Sequence, residues 1–164
     1  MTQASPRRIL LAVTGLTPQI VTETLYALAC NRPDPWIPDE IHLITTATGA
    51  DNARLNLLAG QRWFHRLCED YGLSPIVFTP EQIHVLQDAE GRPLDDIRTQ
   101  ADNTLAADFI TETLRGLTED PHTEIHVSIA GGRKTMGYYL GYALSLYGRP
   151  QDRLSHVLVS DPYE

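Results

Sequence analysis

Short unbroken apolar runs alternate with stretches of helical periodicity along this chain, and the alternation repeats almost from end to end. Arg8 to Val13 is a continuous apolar run, the pattern of a strand buried on both faces of a parallel sheet. Thr14 to Pro18 then forms a tight turn, with Thr17 placed to cap a helix and Pro18 at its first position. That helix reaches about Cys30 and buries Ile20, Val21, Thr24, Leu25 and Leu28. Asn31 to Pro38 is a proline-rich connection, and Glu40 to Thr46 is the next strand. A long helix is expected from about Ala50 to Tyr71, with Leu55, Leu58, Trp63 and Leu67 inside and Arg54, Arg62 and Arg66 on a solvated face. Ser74 to Thr79 reads as a third strand and Gln82 to Leu86 as a further short one.

Asp88 to Pro93 turns the chain, and residues 95–103 lead into a helix that ends near Leu117. Thr123 to Ile129 alternates and β-branches like a strand, and Leu154 to Ser160 is a last one. Between them Met136, Tyr139, Leu140, Ala143, Leu144 and Tyr147 recur at helical spacing, so a helix begins at about Arg133. Gly137, Gly141 and Ser145 make a smooth ridge on it that can face the sheet or a second subunit. Strand and helix in alternation imply right-handed βαβ units. The expected class is α/β: a Rossmann-like, mostly parallel sheet flanked by helices, in a single domain.

The remaining chemistry narrows the function. A formal charge of −8 argues against a general binder of long nucleic acid, which presents basic faces to many phosphates. No run approaches a membrane span and no secretory leader is evident, so a cytoplasmic protein is expected. Its closing residues suggest a module that belongs to something longer. Cys30 and Cys68 lack metal or redox spacing and read as buried thiols. His122 and His126 do not converge as a helical pair would, so no metal is expected. The G-x-G-x-x-G, Walker and G-x-S-x-G patterns are all absent, and no cofactor is implied.

What stands out is Ser128-Ile129-Ala130-Gly131-Gly132-Arg133-Lys134-Thr135, a strand that passes through two glycines into a helix opened by two cations. Backbone N–H groups and the helix dipole there favour an anion. Lys134 is the only lysine among thirteen basic residues, which points to a compact point charge on a phosphate. Thr45 and Thr46 follow a second strand at the edge where α/β sheets bind ligands; they are candidate donors or ordinary turn residues. Thr99 with Asp102 and Asn103 is either a helix cap, or Arg98 and Asn103 serve a ligand or partner. If the strands ending at Val13 and Ile129 are neighbours, the Thr14–Thr17 and Ala130–Lys134 loops share the crevice at a topological switch point.

The run from Leu11 to Thr24, the run Asp96-Ile97-Arg98-Thr99 with Asp102-Asn103, and the run from Ser128 to Met136 together resemble the CRISPR-associated Rossmann fold (CARF) domain. The resemblance covers residues 1–164 and is nearest to the branch found alone or fused to effectors of type III CRISPR systems. It implies a homodimer that binds cyclic oligoadenylate, cyclic tetra-adenylate first, on its two-fold axis. Some members of the family are ring nucleases that cut this activator. Lys134 and Gly131-Gly132 match the family's phosphate-binding motif, and Thr14, Gly15 and Thr17 match its first loop. Ser128, Ala130, Arg133 and Thr135 complete the candidate ligand set, and no effector domain of the kind found in fused relatives is expected within these residues. RNA carries its own nucleophile, the 2′-hydroxyl, so cleavage needs only in-line positioning and charge stabilisation. Lys134 would stabilise the transition state and Thr14 or Thr17 would orient the phosphate. With no evident general base, turnover is expected to be slow. The alternatives are a sensor that leaves the ring whole and a small-molecule Rossmann enzyme using a nucleotide cofactor.

Overall fold

The computed structural model describes residues 4–156. Five strands, β1 (Arg7–Val13), β2 (Glu40–Thr45), β3 (Ile83–Val85), β4 (Thr123–Ser128) and β5 (Arg153–Ser155), form one sheet in the order β3-β2-β1-β4-β5. Every pairing is parallel, with Val13 opposite Ile44 and Ala12 opposite Ser128. The expected α/β architecture is therefore found, and β1 does lie beside β4. The helices are α1 (Gln19–Ala29), α2 (Ala47–Ala53), α3 (Trp63–Asp70), α4 (Gln100–Thr118) and α5 (Lys134–Tyr147).

The period-2 geometry of β1 divides its side chains between two cores. Leu10 and Ala12 join Val21, Leu25, Leu43 and Phe64 beneath α1, α2 and α3. Ile9, Leu11 and Val13 join Ile110, Leu114, Val127 and Leu140 beneath α4 and α5. Both faces of the central strands are thus dry, which is why β1 carries no polar residue between Ile9 and Val13. The chain changes faces between β3 and β4, and this reversal sets the switch point at the C-terminal ends of β1 and β4.

Three expectations need correction. The helix expected over 50–71 is two helices. A widened π-turn at Arg54–Leu58 is followed by a corner with Gly60 and Arg62 both at positive φ (54° and 53°), and α3 starts afresh at Trp63. The phase change buries Leu57 and Phe64 and leaves Leu55 (64%) and Trp63 (47%) in solvent, so neither supplies core. The expected strand at 74–79 makes only one bridge, Val77 with Glu40. Pro75 has no N–H to give, and β2 is paired instead by the short run at 83–85 after the turn Pro80–Gln82. Thr17 does not cap α1: the N-cap position falls on Pro18, with no side-chain cap. At the other end of the chain, β5 begins at Arg153, and the expected continuation from 157 to Ser160 lies outside the described residues.

Candidate functional site

Glycine contacts bring the loops after β1 and β4 together. A Cβ on Gly131 would stand 2.7 Å from the Val13 carbonyl oxygen and 2.8 Å from Ile20 Cγ2, so only hydrogen fits there. Gly132 sits at φ +76°, a left-handed conformation, and a Cβ on Gly15 would be 3.6 Å from its Cα. The first turn of α2 is drawn in as well, since a Cβ on Gly49 would meet the Gly15 carbonyl oxygen at 2.6 Å. Asn52 on α2 then donates to the Leu16 carbonyl oxygen at 2.9 Å and fixes the tip of the first loop.

The cavity above these loops has a volume of about 590 Å³. Six of the expected residues line it: Gly15, Thr17, Thr46, Arg98, Gly132 and Arg133. Four helices begin around it, and their first turns differ. α2 and α4 satisfy their own ends: Thr46 accepts from the Gly49 amide at 3.2 Å, and Thr99 and Asp102 form a reciprocal capping box. α1 and α5, which start at the β1 and β4 loops, have no side-chain cap at Pro18 or Arg133. Val21 N–H turns back to the Pro18 carbonyl oxygen at 3.0 Å and Met136 N–H to that of Arg133 at 2.9 Å, which leaves the earlier amides and the positive dipole ends beside the switch point for an anion.

The other expected residues are placed elsewhere. Thr14 and Thr45 are fully buried below the cavity floor, and their hydroxyls have no hydrogen-bond partner. Thr14 therefore has no exposed hydroxyl with which to orient a phosphate in this conformation. Ser128 is buried too, its hydroxyl 3.5 Å from that of Thr24. Asn103 donates to the Tyr139 hydroxyl at 2.7 Å and braces α4 on α5, and Thr99 is a cap; of the two expected ligand residues Arg98 and Asn103, Arg98 lines the cavity and Asn103 does not. Ala130 and Gly131 are half-buried behind Gly132, while Thr135 is exposed. Lys134 is exposed at the first turn of α5 but lies in an adjoining shallow groove, with Ile129, Gly137, Tyr138, Gly141 and Tyr142.

Leu16, Thr48, Asp95, Asp96, Ile97 and Met136 also line the cavity and were not among the candidate residues of the sequence. Asp96 is the most consequential. Its carboxylate accepts two hydrogen bonds from the Arg133 guanidinium, at 2.9 and 2.6 Å, and one from the Ile97 amide at 2.8 Å. Those bonds, Arg133 first, hold the Asp96 carboxyl down at about 2. Adjacent acids in a solvated-looking stretch carry no mark in the sequence of what they will face.

Among the described residues no group of three His, Cys, Asp or Glu side chains is arranged to hold a metal ion, and no helix is long and apolar enough to cross a membrane.

The family model described as CRISPR-associated protein NE0113 matches residues 17–164. The chain belongs to that family. Among solved structures it is similar to Enterococcus italicus Csm6 bound to cyclic hexa-2′-fluoro-hexa-dAMP, with a TM-score of 0.58 at 17% identity. That match covers 96% of this chain and 35% of the other, so the chain spans about a third of the Csm6 length. No curated protein matches the sequence. The CARF-type fold expected from the three motifs is the fold found, and the family match takes in the Gly131–Lys134 loop and the Asp96–Asn103 segment.

Proposed function

We propose that this protein binds cyclic oligoadenylate, cyclic tetra-adenylate first, as a homodimer in which two copies of the switch-point cavity share one ring. The observation that carries the reading is that the loops leading into two uncapped helices, α1 and α5, are packed together through Gly15, Gly131 and Gly132 and line one cavity with Gly15, Thr17, Gly132 and Arg133. They supply local donors for phosphodiesters, which reconciles an anionic ligand with a chain of net charge −8. The similar Csm6 structure holds a cyclic hexanucleotide analogue, which supports a ring as the ligand class. A cavity of about 590 Å³ suits part of such a ring rather than all of it, and a two-fold symmetric ring calls for two equivalent half-sites.

The exposed side of α5 supports the dimer. Tyr138 (66% exposed) and Tyr142 (54%) stack at 6.2 Å beside the floor made by Gly137 and Gly141. The glycine ridge thus packs near Ile129 and Leu154 while opening a groove to solvent. A second copy laid along this face covers the tyrosines and brings each Lys134 to the edge of the shared site. The dimer contact we propose is therefore α5, with the 96–103 segment at its margin.

Ring cleavage is the second reading, and Lys134 carries it. Within one protomer Lys134 stands outside the cavity, so the charge it would place on a phosphodiester has to be delivered at the two-fold axis. The protein warmed with cyclic tetra-adenylate, cyclic hexa-adenylate or linear tetra-adenylate separates these ideas. Binding predicts a higher melting temperature with one ring and little change with the linear chain. No shift with either ring in a folded sample refutes it. Incubation of excess protein with cyclic tetra-adenylate in EDTA then reads cleavage: fragments ending in 2′,3′-cyclic phosphate that vanish in Lys134→Ala establish it, and an intact ring leaves a sensor.

A further inference from the structure

Arg133 and Asp96 come from different segments of the chain and meet in the lining of the cavity. Arg133 occupies the N-cap position of α5, and Asp96 lies in the connection from β3 to α4, whose Leu94 is hydrogen-bonded to Leu86 and Ala47. The pair is bidentate: Arg133 Nε donates to one carboxylate oxygen of Asp96 at 2.9 Å and Nη2 to the other at 2.6 Å. This Nε–Nη2 edge is one of the guanidinium edges that donate two parallel bonds to a carboxylate or a phosphate. Arg98 Nε stands 3.5 Å from Asp96 as well, and Asp95 adds a second acid to the lining. Two arginines are therefore drawn onto Asp96 in the lining of a site that otherwise offers uncapped helix starts to an anion, and among the described residues no ion pair ties Asp95 to either of them.

We infer that Asp96 is a built-in competitor for the ligand's phosphate, holding the Arg133 fork until a phosphodiester displaces it and so setting which anions the site accepts. The inference rests on the reading of this cavity as a phosphate site. A small anion gains one contact and must break the whole pair to obtain it. A ring that contributes several phosphates and stacked bases offsets that loss with contacts elsewhere. Displacement also cuts the hydrogen-bonded tie between Asp96 and Arg133, whereas Ile97 stays buried in the core cluster with Met136 and Leu140 and α4 keeps its own cap at Thr99.

The test uses Asp96→Asn, which removes the charge and retains an oxygen for the Ile97 amide, with Asp96→Ser as a second variant and Asp95→Asn as a charge-matched control. Affinity is measured by calorimetry for pyrophosphate and for cyclic tetra-adenylate, with melting temperature as a check on folding. Asp96→Asn is expected to tighten pyrophosphate by about 10-fold or more, the scale of one charge-assisted pair, and to tighten the ring by less. Asp95→Asn is expected to change either by no more than ~3-fold, as for a solvent-screened charge. Adding Arg133→Gln should erase the gain. The Ile97 amide, which donates to Asp96, should exchange faster with the ring bound, and the Arg98 and Thr99 amides, held by Asp102, should not. Weaker or unchanged pyrophosphate binding in both Asp96 variants overturns the inference, and so does a gain that survives Arg133→Gln. If pyrophosphate behaves as stated but no ring binds any variant, the competitor stands and the cyclic-oligoadenylate reading falls. If the unaltered protein binds the ring and the Asp96 variants bind neither ligand better, the reverse holds.

Discussion

Replacing Gly131 with alanine tests how the two loops are held together. The added methyl would stand 2.7 Å from the Val13 carbonyl oxygen and 2.8 Å from Ile20 Cγ2, closer than real Cβ atoms come. Neither neighbour is free to withdraw: Val13 ends the central strand β1, and Ile20 lies in the first turn of α1. Overpacking of this kind costs about 1–3 kcal/mol. For a chain of this size that lowers the melting temperature by about 2–12 °C. Gly116 supplies the matched control, since it lies within α4 with nothing inside 4 Å of a new Cβ. Gly116→Ala should raise stability by about 0.5–1 kcal/mol through helix propensity alone. Urea unfolding of the two variants beside the unaltered protein measures both signs. A Gly131→Ala protein as stable as the parent would refute the account of the loop contact, because the same exchange is then harmless with or without room for a methyl.

Three further outcomes follow from buried polar groups and the α5 face. Burial beside Trp36, with Arg32 and Arg153 adding repulsion and Glu124 opposing them, holds His126 down at about 4 from 6.5. The unfolded chain therefore binds a proton that the fold refuses, so stability is full above pH 6.5 and falls by up to ~3 kcal/mol as pH drops towards 4. His84 is shifted in the same direction, first by burial and then by His42. A His126→Phe variant should show a visibly flatter stability profile between pH 4 and 6.5, and an unchanged slope would contradict the assignment. Asp152, almost wholly buried, accepts from the Ile125 amide at 2.9 Å and from Arg149, which also donates to the Thr123 carbonyl at 2.9 Å. Asp152→Ala should lose about 3–5 kcal/mol in urea unfolding, as for a broken buried pair, and a loss under ~1 kcal/mol would show the pair to be solvent-like. Tyr142→Glu on the exposed face of α5 should leave the melting temperature of the monomer nearly unchanged and shift sedimentation from dimer to monomer; an unaltered dimer would move the interface elsewhere.

What the sequence made legible tracks how local each signal is. β1, α1, β4 and α5 were readable because their apolar spacing is set by what each element buries, and buried central strands leave little ambiguity. The break between α2 and α3 was not readable. Arg62 holds a left-handed conformation that its residue type does not announce, and the π-turn before it shifts the phase of the periodicity. β3 was legible only as a faint run, since an edge strand of three residues is defined by its partner β2. At the candidate site, glycines and the capping box at Thr99 could be read because turn and cap chemistry is local. Asp96 against Arg133, Asn103 against Tyr139, and the burial of Thr14 depend on segments 37 and 36 residues apart or on the C-terminal edge of the sheet, and no spacing encodes them.

The central claim is that two chains share one cyclic oligoadenylate at the switch point between β1 and β4. Calorimetric titration of cyclic tetra-adenylate into the protein, with cyclic hexa-adenylate in parallel, tests it most directly. The account predicts saturable binding of one ring at a stoichiometry of about half a ring per chain, as two-fold symmetry requires, and a weakened isotherm for Lys134→Ala with no loss of melting temperature. Absence of heat with both rings in a folded sample, or saturation at one ring per chain, would contradict it.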